Sequence, residues 1–134
     1  MKPIDPAGPA AQSPADLPAD VLVVEDDTLI AMDTAETISG FGVGSVRTAR
    51  NVAAALKLIA DRAPDFVLLD VGLIREKSFA VAEQLDRQKI PFVFVTGYSG
   101  PAGVPRALAQ YQVLRKPYLR DQLLQTLRGW RGPT

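Results

Sequence analysis

The chain has no cysteine and no histidine among its 134 residues. The first absence excludes disulfides, thiol nucleophiles and cysteine metal sites, and it accords with a reducing compartment. The second removes an imidazole base, an imidazole metal ligand, and any role in which the chain itself carries a phosphorylated histidine. A charge of one sign is missing too. Lys plus Arg and Asp plus Glu are 15 each, so no global field favours nucleic acid or a membrane as partner. No apolar run approaches the roughly 18 residues of a membrane span, and the N-terminus lacks the continuous apolar core of a signal peptide. The expected location is the cytoplasm. What remains is 47% hydrophobic and 22% charged, the balance of a soluble globular domain, and the length suits one core.

Residues 1–19 hold Pro3, Pro6, Pro9, Pro14 and Pro18 among small and polar residues, which predicts a disordered or polyproline-like tail. From Asp20 the pattern changes to alternating strand and helix. Val21 to Val24 reads as a buried strand. A helix follows over Thr28 to Ser39, with Leu29, Met32 and Ala35 on one side and Gly40 as its stop. Val43 to Val46 is a short second strand. Asn51 caps a helix whose stripe is Val52, Ala55, Leu56, Ile59, Ala60 and Ala63, ended by Pro64. The third strand is Phe66 to Asp70. Ser78 can then cap a helix burying Val81, Ala82 and Leu85. Strands at Ile90 to Val95 and Tyr111 to Leu114 flank a helix over 101–110, weakened by Pro101, Gly103 and Pro105. A last helix over Leu119 to Arg128 buries Leu119, Leu123, Leu124 and Leu127 before Gly129. Five strands and five helices in alternation predict an α/β flavodoxin-like (βα)5 three-layer sandwich, with a parallel five-stranded sheet of order 2-1-3-4-5. The domain spans 20–130, and 131–134 form a C-terminal tail.

Parallel sheets place their chemistry outside the carboxyl ends of the strands. In this order Glu25, Asp26 and Asp70 converge in one crevice. Carboxylates about 6 Å apart repel by roughly 3 kcal/mol per pair at an effective dielectric near 20, so three of them call for a cation. Lys116, after the fifth strand, supplies one charge. A divalent metal would supply the rest, and oxygen ligands without His or Cys favour Mg2+, with Mn2+ or Ca2+ as substitutes. Thr96 brings a hydroxyl to the same crevice. The X-Pro bond after Lys116 can be cis, which would aim the lysine inward. Each residue alone has a plainer reading: helix start for the acids, cap for Thr96, surface lysine before a helix for Lys116. Asp27, a third acid, favours a helix start. The set together is far more specific.

Val23-Val24-Glu25-Asp26, Leu68-Leu69-Asp70, Phe94-Val95-Thr96-Gly97 and Lys116-Pro117, in this order and spacing, resemble a CheY-like response regulator receiver domain. The resemblance implies that Asp70 is the phosphoacceptor in a two-component phosphorelay. Asp26 would bind magnesium directly, Glu25 through water, and Asp70 and the Gly72 carbonyl would complete the set. Thr96 would hydrogen-bond the phosphoryl oxygens, and Lys116 would pair with Asp70 and then with the phosphoryl group. The donor histidine would belong to a partner sensor histidine kinase, so the chain's own lack of histidine is no obstacle. Such a domain is no enzyme beyond self-catalysed phosphotransfer and autodephosphorylation.

One departure stands out. Receivers of the usual kind carry Tyr or Phe three residues before the lysine, and here that position is Val113. Phe94-Val95-Thr96-Gly97-Tyr98 instead resembles the FAT GUY subclass of single-domain regulators, partnered with HWE-type kinases. The implied switch runs through Thr96, Tyr98 and the segment 99–110. The leading expectation is a stand-alone receiver, monomeric or weakly dimeric, that signals to a downstream protein or drains phosphate from a kinase. A phosphorylation-independent pseudo-receiver is the alternative. An aspartyl-phosphate hydrolase would want a second Asp at 72, where Gly stands. No Gly-rich phosphate loop follows the first strand, which disfavours a nucleotide-binding protein.

Overall fold

Val21 to Val24 and Phe66 to Leu69 carry no polar face, so each must be covered on both sides. In the computed structural model, which describes residues 15–71, 78–96 and 112–131, these runs become adjacent parallel strands. β1 (Asp20–Val24) pairs with β3 (Phe66–Asp70), Val21 opposite Phe66 and Val24 opposite Leu69, and both strands are buried throughout. β2 (Ser45–Ala49) lies outside β1; β4 (Phe92–Thr96) and β5 (Val113–Arg115) lie beyond β3. The order is β2-β1-β3-β4-β5, parallel at every pairing, as the alternation predicts.

Among the described residues there are four helices: α1 (Thr28–Gly40), α2 (Val52–Asp61), α3 (Ser78–Arg87) and α4 (Arg120–Arg128). The helix expected over 101–110 lies outside the described residues. Strand periodicity splits even an unbroken apolar run between the two faces. Leu22, Val24, Val67 and Leu69 join Ala55, Ile59, Val81 and Leu85 in one core layer. Val21, Val23, Phe66 and Leu68 join Ile38, Leu123 and Leu127 in the other. Leu17 and Pro18 are buried as well, and Asp16 pairs with Arg128 at 2.9 Å.

Several expected details move. α1 turns Ala31, Thr34 and Ile38 to the sheet, while Leu29 and Met32 are 77% and 55% exposed. The packed face thus includes a threonine, and the apolar face points outward. The helix runs through Gly40 to a cap at Phe41, and it is Gly42 that takes the left-handed turn (φ 106°), which glycine adopts without a Cβ clash. β2 accordingly starts at Ser45, not at Val43, and Val43 packs into the core from the connection. α2 is capped by the Asn51 side chain on Ala54 N at 2.8 Å, but its stripe stops early, leaving Ala60 and Ala63 exposed. β4 and β5 each begin two residues later than expected. Leu119 is the cap residue of α4, 71% exposed, rather than part of its buried face.

The amino edge of the sheet is clamped by charge. Asp20 accepts from Arg47 Nε at 3.1 Å and Nη2 at 2.7 Å, and from Arg62 Nε at 3.1 Å. Arg47 also donates to the Leu58 and Arg62 carbonyls, and Asp65 accepts the Ala19 and Asp20 amides. These bonds join β1, β2, the end of α2 and the start of β3.

Candidate functional site

At the opposite edge, the ends of β1, β3, β4 and β5 deliver the chemical groups: Glu25 and Asp26, Asp70, Thr96 and Lys116. Ladder hydrogen bonds continue past the strands and set the direction of the next residue: Glu25 N to Ala49 O at 2.9 Å, Val71 N to Val95 O at 2.8 Å, and Lys116 N to Thr96 O at 2.7 Å. With β1 beside β3 and β5 beyond β4, carboxylate oxygens of Glu25, Asp26 and Asp70 come within 4.8 Å of one another. Glu25 and Asp70 are buried and Asp26 is exposed.

Lys116 enters this cluster as its cation. Its Nζ donates to Glu25 Oε1 at 2.6 Å and to Asp70 Oδ2 at 2.9 Å, and the Lys116–Pro117 bond is cis. Glu25 Oε2 accepts the Asp27 amide at 3.1 Å. Burial raises the Glu25 carboxyl above 4.5; the Lys116 bond pulls the other way, and Asp70 adds to the rise. Burial opposes the Lys116 ammonium, but the Glu25 and Asp70 carboxylates outweigh it and hold the amine above 10.5. The lysine is therefore a fixed cation at neutral pH.

The sequence reading placed Lys116 on Asp70 and did not foresee its shorter bond to Glu25. Asp27 acts as the helix start expected of it, its Oδ1 accepting from Leu29 N at 3.0 Å and Ile30 N at 3.1 Å. Thr96 is buried at the end of β4. Val113, in the place of the usual aromatic, is half-buried and registers with Phe94. Gly72, Tyr98 and 99–110 lie outside the described residues.

The donor set is three carboxylates with no nitrogen or sulfur ligand, and one of them, Asp26, faces solvent. That chemistry fits a hard divalent cation such as Mg2+. Beside the site runs a groove of about 690 Å³, bounded by Leu29, Ile30 and Thr34 of α1 and by Lys116, Pro117 and Tyr118. Sequence periodicity did not reveal it, because the outward turn of Leu29 depends on the phase of α1 against the sheet.

The family model for the response regulator receiver domain matches residues 21–128. The transcriptional regulatory protein PdtaR of Mycobacterium tuberculosis is 34% identical over 123 residues, covering 90% of this chain and 60% of PdtaR. This chain thus spans less than two thirds of that relative's length. Among solved structures, SdrG from Sphingomonas melonis Fr1 superposes with a TM-score of 0.72 at 36% identity, covering 88% of this chain and 99% of that one. The BeF3-activated conformation of SdrG from Pseudomonas melonis Fr1 gives a TM-score of 0.70 at 38% identity, covering 81% and 92%. No helix among the described residues is long and apolar enough to cross a membrane.

Proposed function

Because this chain belongs to the response regulator receiver domain family, we propose that Asp70 accepts a phosphoryl group from a phosphohistidine on a sensor histidine kinase, in the cytoplasm, as the input of a two-component signal. The observation that carries the reading is the Lys116 ammonium held between Glu25 and Asp70 beside the exposed Asp26 carboxylate. A carboxylate oxygen of Asp70 attacks phosphorus, the phosphorus–nitrogen bond breaks, and the donor imidazole leaves with the electron pair and takes up a proton. Such a transfer needs alignment and charge neutralisation more than a base. Lys116 supplies a fixed positive charge at the developing phosphoryl oxygens, and the Thr96 hydroxyl supplies a hydrogen bond. Glu25, Asp26, Asp70 and the Gly72 carbonyl would hold Mg2+, which would supply positive charge against the negative charge that develops in the transfer.

The donor reaches Asp70 past α1, whose exposed Leu29, Ile30 and Met32 suit the apolar side of a partner helix. The added phosphoryl carries nearly two negative charges, and Thr96 with Tyr98 would relay that change to a downstream protein, without an aromatic at 113. The stretch Phe94-Val95-Thr96-Gly97-Tyr98, which resembles the FAT GUY subclass, favours an HWE-type kinase as donor.

The deciding experiment is phosphorylation by acetyl phosphate with Mg2+, wild type beside Asp70→Asn, read by intact mass. Wild type should gain one phosphoryl group and the variant none. A variant that gains as much as wild type would overturn the assignment, and a wild type that gains none would leave the binding-module reading.

A further inference from the structure

Lys116 sits in a short link between β5 and α4, and the residue two further on is tied to a distant helix. The Tyr118 hydroxyl lies 2.9 Å from the Thr34 hydroxyl. Thr34 is 5% exposed and occupies the sheet-facing row of α1 between Ala31 and Ile38. A hydroxyl in an apolar row costs stability unless it is paired, and Tyr118 provides the pairing. The tyrosine ring packs on the core layer that holds Leu123 and Leu127. A phenylalanine would fill that space as well, so the hydroxyl is what the packing does not explain. The link is held at other points too. Lys116 N donates to Thr96 O at 2.7 Å, Leu119 N donates to Gln122 Oε1 at 2.7 Å, and the Arg120 guanidinium covers the Phe41 ring at 4.7 Å. Of these contacts, that of Tyr118 reaches α1 and that of Arg120 reaches its cap residue Phe41.

We propose that Tyr118, pinned by Thr34, is a positioning residue for Lys116: it fixes the link so that the ammonium stays aimed between Glu25 and Asp70. The proposal rests on the phosphoacceptor reading of Asp70. The backbone tie to Thr96 fixes the near end of the link, and Thr96 sits at the end of β4 beside the group that gains charge. An anchor on α1 gives the link a reference that does not move with β4. It also makes the groove wall and the reactive lysine one mechanical unit, because Thr34, Tyr118 and Lys116 all line the same groove. A donor that covers Leu29 and Ile30 therefore presses on the helix that steadies Lys116.

The test compares Thr34→Val, which keeps shape and loses the hydroxyl, with Tyr118→Phe, their double variant, and Thr34→Ser, which keeps the hydroxyl. Two readouts are taken: the rate of Mg2+-dependent phosphorylation by acetyl phosphate, and the 15N signal of the Lys116 ammonium in the unphosphorylated protein. Urea midpoints check that each variant is folded. Each single variant should be slower by about five-fold, the size of one neutral hydrogen bond. The double should be no slower than the singles, and the serine should recover the wild-type rate. The Lys116 signal should shift in the valine and phenylalanine variants and return in the serine one. An unmoved Lys116 signal, or losses that multiply in the double variant, would overturn the proposal. Failure of wild type to take phosphate would instead refute the reading of Asp70, and the ammonium signal would still decide the positioning claim.

Discussion

Arg47→Met should cost about 3 kcal/mol of stability, and Arg62→Met at most about 1, although both arginines bind the same carboxylate. Arg47 is 15% exposed and Arg62 61%. Arg47 makes two bonds to Asp20 and one each to the Leu58 and Arg62 carbonyls. Removing it takes two of three arginine bonds from a carboxylate that is itself only 13% exposed and one donor from each of two carbonyls, of which Leu58 keeps the Arg62 amide. Breaking a buried pair by deleting one partner costs about 3 to 5 kcal/mol. The surviving Arg62 bond at 3.1 Å and the apolar methionine stem pull that toward the lower end. Arg62 has solvent as an alternative partner, so its loss falls in the range of surface pairs. The gap of about 2 kcal/mol is a factor of about 30 in the unfolding equilibrium. Urea unfolding followed by far-UV circular dichroism reads it as a midpoint lower by about 1 to 2 M for Arg47→Met. Equal midpoints for the two variants would refute the burial argument. Phosphate uptake at Asp70 should be unchanged in both once they are folded, since Asp20 opens β1 and Asp70 closes β3, about 15 Å away along the strands.

Leu29→Ser, at an exposed site, should shift the urea midpoint by less than about 0.5 kcal/mol equivalent and leave acetyl phosphate uptake unchanged, while slowing transfer from a kinase; equal losses from both donors would sink the docking role of α1. Lys116→Met should tighten Mg2+ binding several-fold in calorimetry, since it removes a cation 2.6 Å and 2.9 Å from two of the carboxylates; unchanged or weaker binding would contradict the competition. Carbon-detected NMR should give Glu25 a midpoint above 4.5. The native state then holds more protons than the unfolded chain just above that pH, so the Glu25 contribution to stability falls as pH rises through the window. Lys116 follows the same sign at higher pH: its stabilisation is fully present below the unfolded value of 10.5 and is lost as pH rises through a native value above it. Phe94→Ala, at a fully buried ring that meets Phe92 edge-on at 5.4 Å, should cost about 3 to 5 kcal/mol by thermal or urea unfolding.

The sheet and its reactive edge were legible because both rest on short-range patterns. Phe66 to Asp70 reads as a buried strand from composition alone, and strand order follows from alternation, so the convergence of Glu25, Asp26, Asp70 and Lys116 needed no distance information. The phase of α1 was not legible. Leu29, Met32 and Ala35 make as good an apolar stripe as Ala31, Thr34 and Ile38, and the buried face includes a threonine whose partner, Tyr118, lies 84 residues away. The Asp20–Arg47 pair is separated by 27 residues with no periodic signal to mark it. The starts of β2 and β4 were misplaced because apolar residues that pack from a connection, Val43 and Ile90, look like strand residues in a run.

The two edges of the sheet divide stability from chemistry by charge balance. At the amino edge, Asp20 is held by Arg47 and Arg62, fork-shaped donors that hold one geometry, while Asp65 accepts the Ala19 and Asp20 amides. At the carboxyl edge, the three carboxylates of Glu25, Asp26 and Asp70 converge among the described residues, and Lys116 bonds two of them. On the proposed reading, a divalent cation would offset that gathering of acid, and the phosphoryl group would then bring nearly two negative charges back. The cation at this edge is a lysine, a point charge on a flexible stem that can turn from a carboxylate to a phosphoryl oxygen without losing a bidentate fit. An arginine in its place would be better held by Glu25 and Asp70 and worse at letting go. Buried acid gathered around this ammonium is a poor arrangement for an inert fold, and it suits the proposed site, which would cycle through metal and phosphate.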